Sequence, residues 1–568
     1  MIARRVAALL FSCSLFVPAM GHAQTDDNAA PEFHVEEASI ATMQAAMAEG
    51  QITSQEIVQQ YLDRIEKYED TLHATLAINP NALEEAAALD RERTAGKVRG
   101  PLHGIPVALK DNIHTTNMPT TGGALAFAGY TPPYAATLVE NLRAAGAIIL
   151  AKTTLTELAN WVATGMPNSY NAVRGYGYNP YDPRPDPRPG FDDGRAVLDT
   201  GGSSSGIGTA ANFWAANIGT ETSGSIEIPA NNNMLVSIKP TVGRISRHGI
   251  IPITADQDTA GPMAKYVADA AALLAVMESV DENDPATGVC PPPADGDYSS
   301  YLTREGLKGA RIGIPRAYYY EPTTTPGAEA PVGGLSPAES EAMSKAIAVL
   351  KSRGAVIVNP ANIPSVVSTS AADNQLLFQN CYDLPQGKGG DENCSVVMKY
   401  GMKRDFNKWL DSLGDSAPVA SLTALREYNL ENRDNNAIRY DQAELDISDQ
   451  MVVTTDKSRY EKDREKDIRL ARTEGIDAAL RDYKLDALLM PSWKGENIIN
   501  KAGYPAISVP YTRVENALSP PLPEGFDPEP MPFGVTFVGT ACSEGRLIEL
   551  AYSFEQATKA RVPPVQFP

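Results

Sequence analysis

The sequence predicts an α/β protein, a sheet of buried strands covered by helices on both faces. Two observations carry this. Short apolar runs recur along the chain: residues 105–109 (IPVAL), 147–150 (AIIL), 487–490 (ALLM), 506–509 (AISV) and 534–539 (GVTFVG). Runs this short, without polar alternation, mark strands covered on both sides. Between them lie helical patterns. Thr53, Ser54, Gln55 and Glu56 read as a capping box, and Ile57, Tyr61, Leu62 and Ile65 then fall on one helical face.

Other segments punctuate this alternation. Residues 183–189 (PRPDPRP), 290–295, 322–334 and 519–532 are rich in proline and glycine and read as loops or insertions. Between about residues 361 and 456 the strand-like runs vanish and polar helical sequence takes over, which predicts a small helical cap. Residues 459–472 are charge-dense and helical, and read as a solvated helix face. No internal repeat is present.

Composition excludes several functions. The chain has 568 residues, 43% hydrophobic and 21% charged, as ordinary globular proteins do. Acidic residues outnumber basic ones 70 to 49, a net charge of −21. Such a surface repels phosphate backbones and anionic lipid, so no nucleic-acid partner is expected. Six histidines and five cysteines leave little material for a metal cluster.

Residues 1–23 read as a signal peptide. Arg4 and Arg5 precede an apolar run over 6–17, and Gly21, His22 and Ala23 form a small-residue cleavage pattern. The run is too short to span a bilayer, which takes ~20 residues. The expected product is periplasmic or secreted, without membrane attachment after cleavage. Its charge is −23, the chain's −21 less the two arginines. Cys290, Cys381, Cys394 and Cys542 then sit in an oxidising compartment. Cys381 and Cys394 bracket a Pro- and Gly-rich loop and are predicted to pair.

The chemical signal is densest over 199–265. Two Gly/Ser-rich loops flank a helix-length segment there, and glycine beside serine lets backbone approach a ligand closely. Gly202 to Gly206 fits G-x-S-x-G, the nucleophile elbow of α/β-hydrolases. That fold needs a histidine late in the chain. The last histidine is His248, so the elbow reading fails on histidine supply. A lysine can replace it as base if it is uncharged. Lys110 ends the apolar run of GIPVALK, where burial lowers its proton affinity. An ion pair with Asp111 or another carboxylate explains it equally well.

Together these segments resemble the amidase signature family. The resemblance rests on GGSSSG (201–206), GTETSGSIEIPA (219–230), KPTVGRISRHGIIP (239–252) and QDTAGPMAK (257–265). LHGIPVALKDNI (102–113) resembles that family's lysine segment, and the tail from 532 to 558 also matches. The similarity covers about residues 36–564 and implies one amidase signature domain over 36–568. It implies an α/β/α sandwich around a large mixed sheet, with the cap inserted at about 361–456. It also implies amide hydrolysis without metal or other cofactor.

The resemblance further implies a Ser–Ser–Lys triad. Ser225 matches the nucleophile, Ser203 the bridging serine and Lys110 the base. Backbone N–H groups of Thr222, Ser223, Gly224 and Ser225 would form the oxyanion hole, and Gly201, Gly202, Ser204 and Ser205 the supporting loop. Two departures stand out. The 22-residue step from Ser203 to Ser225 is about two residues shorter than the family's, which leaves Ser204 and Ser205 open as bridging residues. The family often has glycine where this chain has Ser223 and arginine where it has Glu227.

The implied activity is hydrolysis of carboxylic amides to acid plus amine or ammonia, through an acyl-enzyme on Ser225. The only partner expected is a small-molecule amide, aryl, fatty, aliphatic or peptidyl, and the chain is expected as monomer or homodimer. Two alternatives stand beside this reading. The A-type component of the tRNA-dependent amidotransferase, which shares the signature, is opposed by the signal peptide and the acidity. A non-catalytic periplasmic binding protein on the same scaffold is opposed by the occupied triad positions. Residues 376–378 and Tyr382 in the cap, with the 519–532 loop, are candidates to shape the substrate pocket.

Overall fold

A computed structural model describes residues 33–202, 206–293 and 295–568. The expected signal peptide and Ser203, Ser204 and Ser205 lie outside the described residues. Residues 34–568 form one compact unit, built on an eleven-stranded mixed sheet.

In chain order its strands are β1 (Thr75–Ile78), β2 (Pro106–Lys110), β3 (Ile148–Thr153), β4 (Ala216–Glu221), β5 (Val236–Lys239) and β6 (Thr259–Ala264). They continue as β7 (Arg311–Gly313), β8 (Val356–Val358), β9 (Ala487–Pro491), β10 (Ala506–Val514) and β11 (Met531–Val538). Across the sheet the order is β1-β3-β2-β4-β6-β5-β10-β11-β9-β7-β8. The pairs β2–β3, β2–β4, β9–β7 and β7–β8 are parallel, and the remaining pairs antiparallel. All five apolar runs of the sequence lie in strands. Every residue of β2, β3 and β9 is buried, as expected for strands with helices on both faces.

The helix Ser54–Leu72 begins with the capping box read from the sequence. Thr53 Oγ1 accepts the Glu56 N–H at 3.1 Å, and the Glu56 carboxylate accepts the Thr53 N–H at 2.8 Å. Its Ile57, Val58, Tyr61 and Ile65 are buried. No strand lies between β8 and β9 among the described residues. The cap region holds helices Val397–Ser412, Leu422–Glu431 and Ala443–Asp449. They settle on the sheet domain through an aromatic cluster, with Trp409 5.6 Å from Phe127 and 5.2 Å from Phe406 between ring centroids.

One reading needs correction, and one disulfide comes in addition to the pair expected. The charged stretch 459–472 is helical but not simply solvated. Asp463 and Asp467 on it are buried, and Asp467 pairs with the equally buried Lys501 at 2.7 Å. Asp467 and Arg464 tie this stretch to the helix Glu496–Ala502, Arg464 donating to Lys501 O at 2.9 Å, while Glu461, Lys462 and Glu465 do face water. Cys290 and Cys542 also form a disulfide, 252 residues apart in sequence, beside the one joining Cys381 and Cys394.

Candidate active site

Strands β2 and β4 are parallel neighbours, with Leu109 opposite Ile218, so their carboxyl ends meet. In α/β sheets ligands bind at that end. Lys110 is the last residue of β2 and is fully buried. Its ammonium nitrogen donates to Thr220 Oγ1 at 2.8 Å and to Thr220 O at 3.1 Å. Burial pushes the Lys110 pKa well below that of an ordinary lysine, while the carboxylates of Asp258 and Glu221 pull in the opposite direction. Asp111 is not its partner. That carboxylate pairs with buried Lys152 at 3.0 Å and accepts the Thr121 N–H at 2.9 Å.

Strand β4 runs directly into the serine turn. Glu221, its last residue, braces the turn: its Oε2 accepts the N–H groups of Ile226 at 2.6 Å and Glu227 at 2.9 Å. Asn500 Nδ2 fixes the other carboxylate oxygen at 2.7 Å. Those two amides open the short helix Glu227–Asn232, so Ser225 is held just before its first turn. Gly224 reverses the chain at φ +88°, where a side chain would be strained and would meet Ile228 Cδ1 at 2.5 Å. The N–H groups of Ser223 and Gly224 meet no acceptor among the described residues, leaving two donors beside Ser225. Ser225 itself is 6% exposed.

The second loop comes in against this turn. A Cβ on Gly202 would lie 2.9 Å from Ser225 Cα, and one on Gly201 would lie 2.7 Å from the Ile228 carbonyl carbon. Only glycine permits that approach. Asp199 Oδ1 accepts the Gly201 N–H at 2.7 Å, and Thr156 Oγ1 donates to Gly202 O at 3.1 Å. The backbone of Gly202 therefore packs directly against Ser225.

Several residues that form no motif of their own complete the site. Asn112 Nδ2 donates to Thr220 Oγ1 at 3.0 Å, so Thr220 links Asn112 and Lys110. Thr222 Oγ1 donates to Asp258 Oδ1 at 2.5 Å, and Asp258 Oδ2 accepts the Ile253 N–H at 3.0 Å. Burial raises the Asp258 pKa to about 7. Asn112, Thr220, Thr222 and Asp258 line a cavity of about 400 Å³ that extends to Trp409 in the cap. Thr222 was expected here only for its backbone N–H; Asn112, Thr220 and Asp258 were not expected as site residues, and their only signal was a place inside the quoted segments.

On the other side of the turn stands Glu496, whose Cγ is 3.2 Å from the position a Gly224 Cβ would occupy. Burial lifts its pKa to about 7. It lines a cavity of about 80 Å³ with Tyr318, Tyr319, Leu376 and Gln379. Of the residues expected to shape a substrate pocket, Leu376 lines this small cavity. Tyr382 is 37% exposed and rests 5.6 Å from the Trp161 ring. Phe378 is instead buried beneath the ammonium of Lys466, 3.9 Å from its ring centroid. From the 519–532 loop, Met531 and Pro532 at its end line a separate cavity of about 350 Å³ that begins at Asp199 and Thr200.

The site thus brings a lysine-ended strand up to a glycine-turned serine in a large mixed sheet. Residues 56–548 match the family model described as Amidase, and the chain belongs to that family. It is an amidase. It is 32% identical over 538 residues to a probable amidase of Arabidopsis thaliana, covering 94% of this chain and 92% of that protein. The glutamyl-tRNA(Gln) amidotransferase A chain of Chloroflexus aurantiacus is 39% identical over 324 residues, 56% of this chain and 60% of that protein. Among solved structures it is similar to the native peptide amidase of Stenotrophomonas maltophilia, at 35% identity and TM-score 0.76, covering 93% of this chain and 98% of that one.

Proposed function

We propose that this amidase removes the C-terminal amide of peptides, by acyl transfer through Ser225, Ser203 and Lys110. The observation that carries the catalytic reading is the buried Lys110 at the foot of the serine turn. Neutral Lys110 takes a proton from Ser203, which takes one from Ser225 as its Oγ attacks the amide carbonyl. The N–H groups of the turn 222–225 hold the developing oxyanion, a role in which one lost donor costs ~10²–10³ in rate. The proton returns through Ser203 to the departing nitrogen, which leaves as ammonia, and water then hydrolyses the acyl-enzyme. No metal or other cofactor enters these steps.

Similarity to a peptide amidase over nearly the whole of both chains supports the substrate class. A panel varying acyl and amine parts separately tests it. N-acylated dipeptide amides are expected to show kcat/KM at least about tenfold above anilides and fatty amides. A preference for either of the latter would reassign the substrate. Residues 1–23 support export to the periplasm or beyond, and two disulfides suit that compartment. The mature chain is then expected to begin at Gln24. N-terminal sequencing that returns the uncleaved start would count against export.

A further inference from the structure

Two residues beyond Ser225, Glu227 is completely buried, and neither of its carboxyl oxygens meets a hydrogen-bond donor among the described groups. Three charged groups face it: Glu221 from β4, Lys239 from β5 and Glu496 from the helix Glu496–Ala502. Lys239 directs its ammonium to Tyr504 O at 2.5 Å. Glu221 is already the brace of the turn, accepting the Ile226 and Glu227 amides and the Asn500 side chain. A second bare carboxylate beside it would carry the full cost of burial and the repulsion as well. One shared proton removes both problems. A carboxylate offers about four acceptor positions, so Glu221 can take a further donor.

We propose that Glu227 is a neutral acid whose proton bridges to Glu221, and that this acid pair is a positioning device for the turn carrying Ser225. It rests on Ser225 as nucleophile, proposed above. Ionised, Glu227 would repel Glu221 from the two amides it holds, and Ser225 would lose its fixed approach. Burial, then the charge of Glu221, raises the Glu227 pKa well above an ordinary glutamate's. A carboxyl whose folded value is raised contributes stability that is complete at acid pH and lost as pH rises through that value. Activity and stability should therefore decline together on the alkaline side.

The test compares wild type with Glu227→Gln, whose amide can donate to Glu221 without titrating, and with Glu227→Leu, which cannot donate. Activity on one peptide amide is followed above pH 7, normalised to each enzyme's value at pH 7, with the Tm measured in parallel. Wild type is expected to lose about tenfold for each pH unit beyond the transition, with a falling Tm. Glu227→Gln should keep both nearly level, and Glu227→Leu should be impaired at every pH. An alkaline fall in Glu227→Gln equal to that of wild type would overturn the proposal. So would full activity in Glu227→Leu. If Ser225 proves not to be the nucleophile, the Tm comparison still decides the acid pair by itself.

Discussion

Replacing Ser225 with alanine should abolish turnover, lowering kcat by at least about 10⁴-fold while the fold is kept. Losses of that order, up to about 10⁶, follow removal of a nucleophile whose partners cannot act without it. Everything around Ser225 serves its placement. Glu221 clamps the amides that follow it, Gly224 turns the chain before it, and Gly202 packs against its Cα. Substrate binding should survive, because the cavities beside the turn do not depend on the Ser225 hydroxyl. A competitive peptide-amide inhibitor should thus bind the variant within about threefold of its wild-type Kd, a difference below about 1 kcal/mol. Residual turnover above about 1% of wild type would mean another group attacks the carbonyl.

Lys110→Met should remove nearly as much, about 10³-fold or more, since a positioned base contributes ~10²–10⁴. Lys110→Arg should be no better, because arginine cannot give up its proton at accessible pH. The proposed mechanism uses neutral Lys110, so kcat/KM should rise with pH as the ammonium loses its proton. Burial moves that limb well below the ordinary range of lysine. The sign for stability is the same: a lysine held neutral in the fold must be charged in acid, so the fold weakens as pH falls. Methionine fills the space without that liability. The Lys110→Met variant should therefore keep its Tm within a few degrees while its activity is gone. A comparable collapse of both would make Lys110 a structural residue.

The legible part of the fold was the part that burial writes as apolar runs. Strands β2, β3, β9, β10 and β11 were visible for that reason. Strands β4 and β6, with sequences ANIGTE and TAGPMA, are as deeply buried but carry the polar and small residues of the site. Their strand character is therefore masked by their chemistry. Strands β7 and β8 have three residues each, and β8 is half-exposed, too little pattern to read. The Cys290–Cys542 disulfide joins points 252 residues apart, and local spacing says nothing about such a pair.

At the site, Lys110 was legible because a lysine closing an apolar run is unusual. That Asp111 is not its ion-pair partner is visible only in three dimensions, where Asp111 belongs to Lys152. Thr220 and Asp258 could not be singled out because their roles are relational. Thr220 matters as the acceptor for Lys110, and Asp258 as the acceptor for Thr222, 36 residues away. Glu227 was visible as a departure from the family pattern. Its meaning came only with the finding that two buried carboxyls share one surrounding, and that Glu227 meets no donor there among the described groups.

The central claim is that Ser225 forms the covalent intermediate. A fluorophosphonate probe, which couples to an activated serine hydroxyl, tests it most directly when followed by peptide mapping. One adduct per chain is expected, on Ser225, with activity lost in proportion to labelling, and neither Ser225→Ala nor Lys110→Met labelled at a comparable rate. An adduct on another serine, or undiminished amide hydrolysis by fully labelled protein, would contradict it.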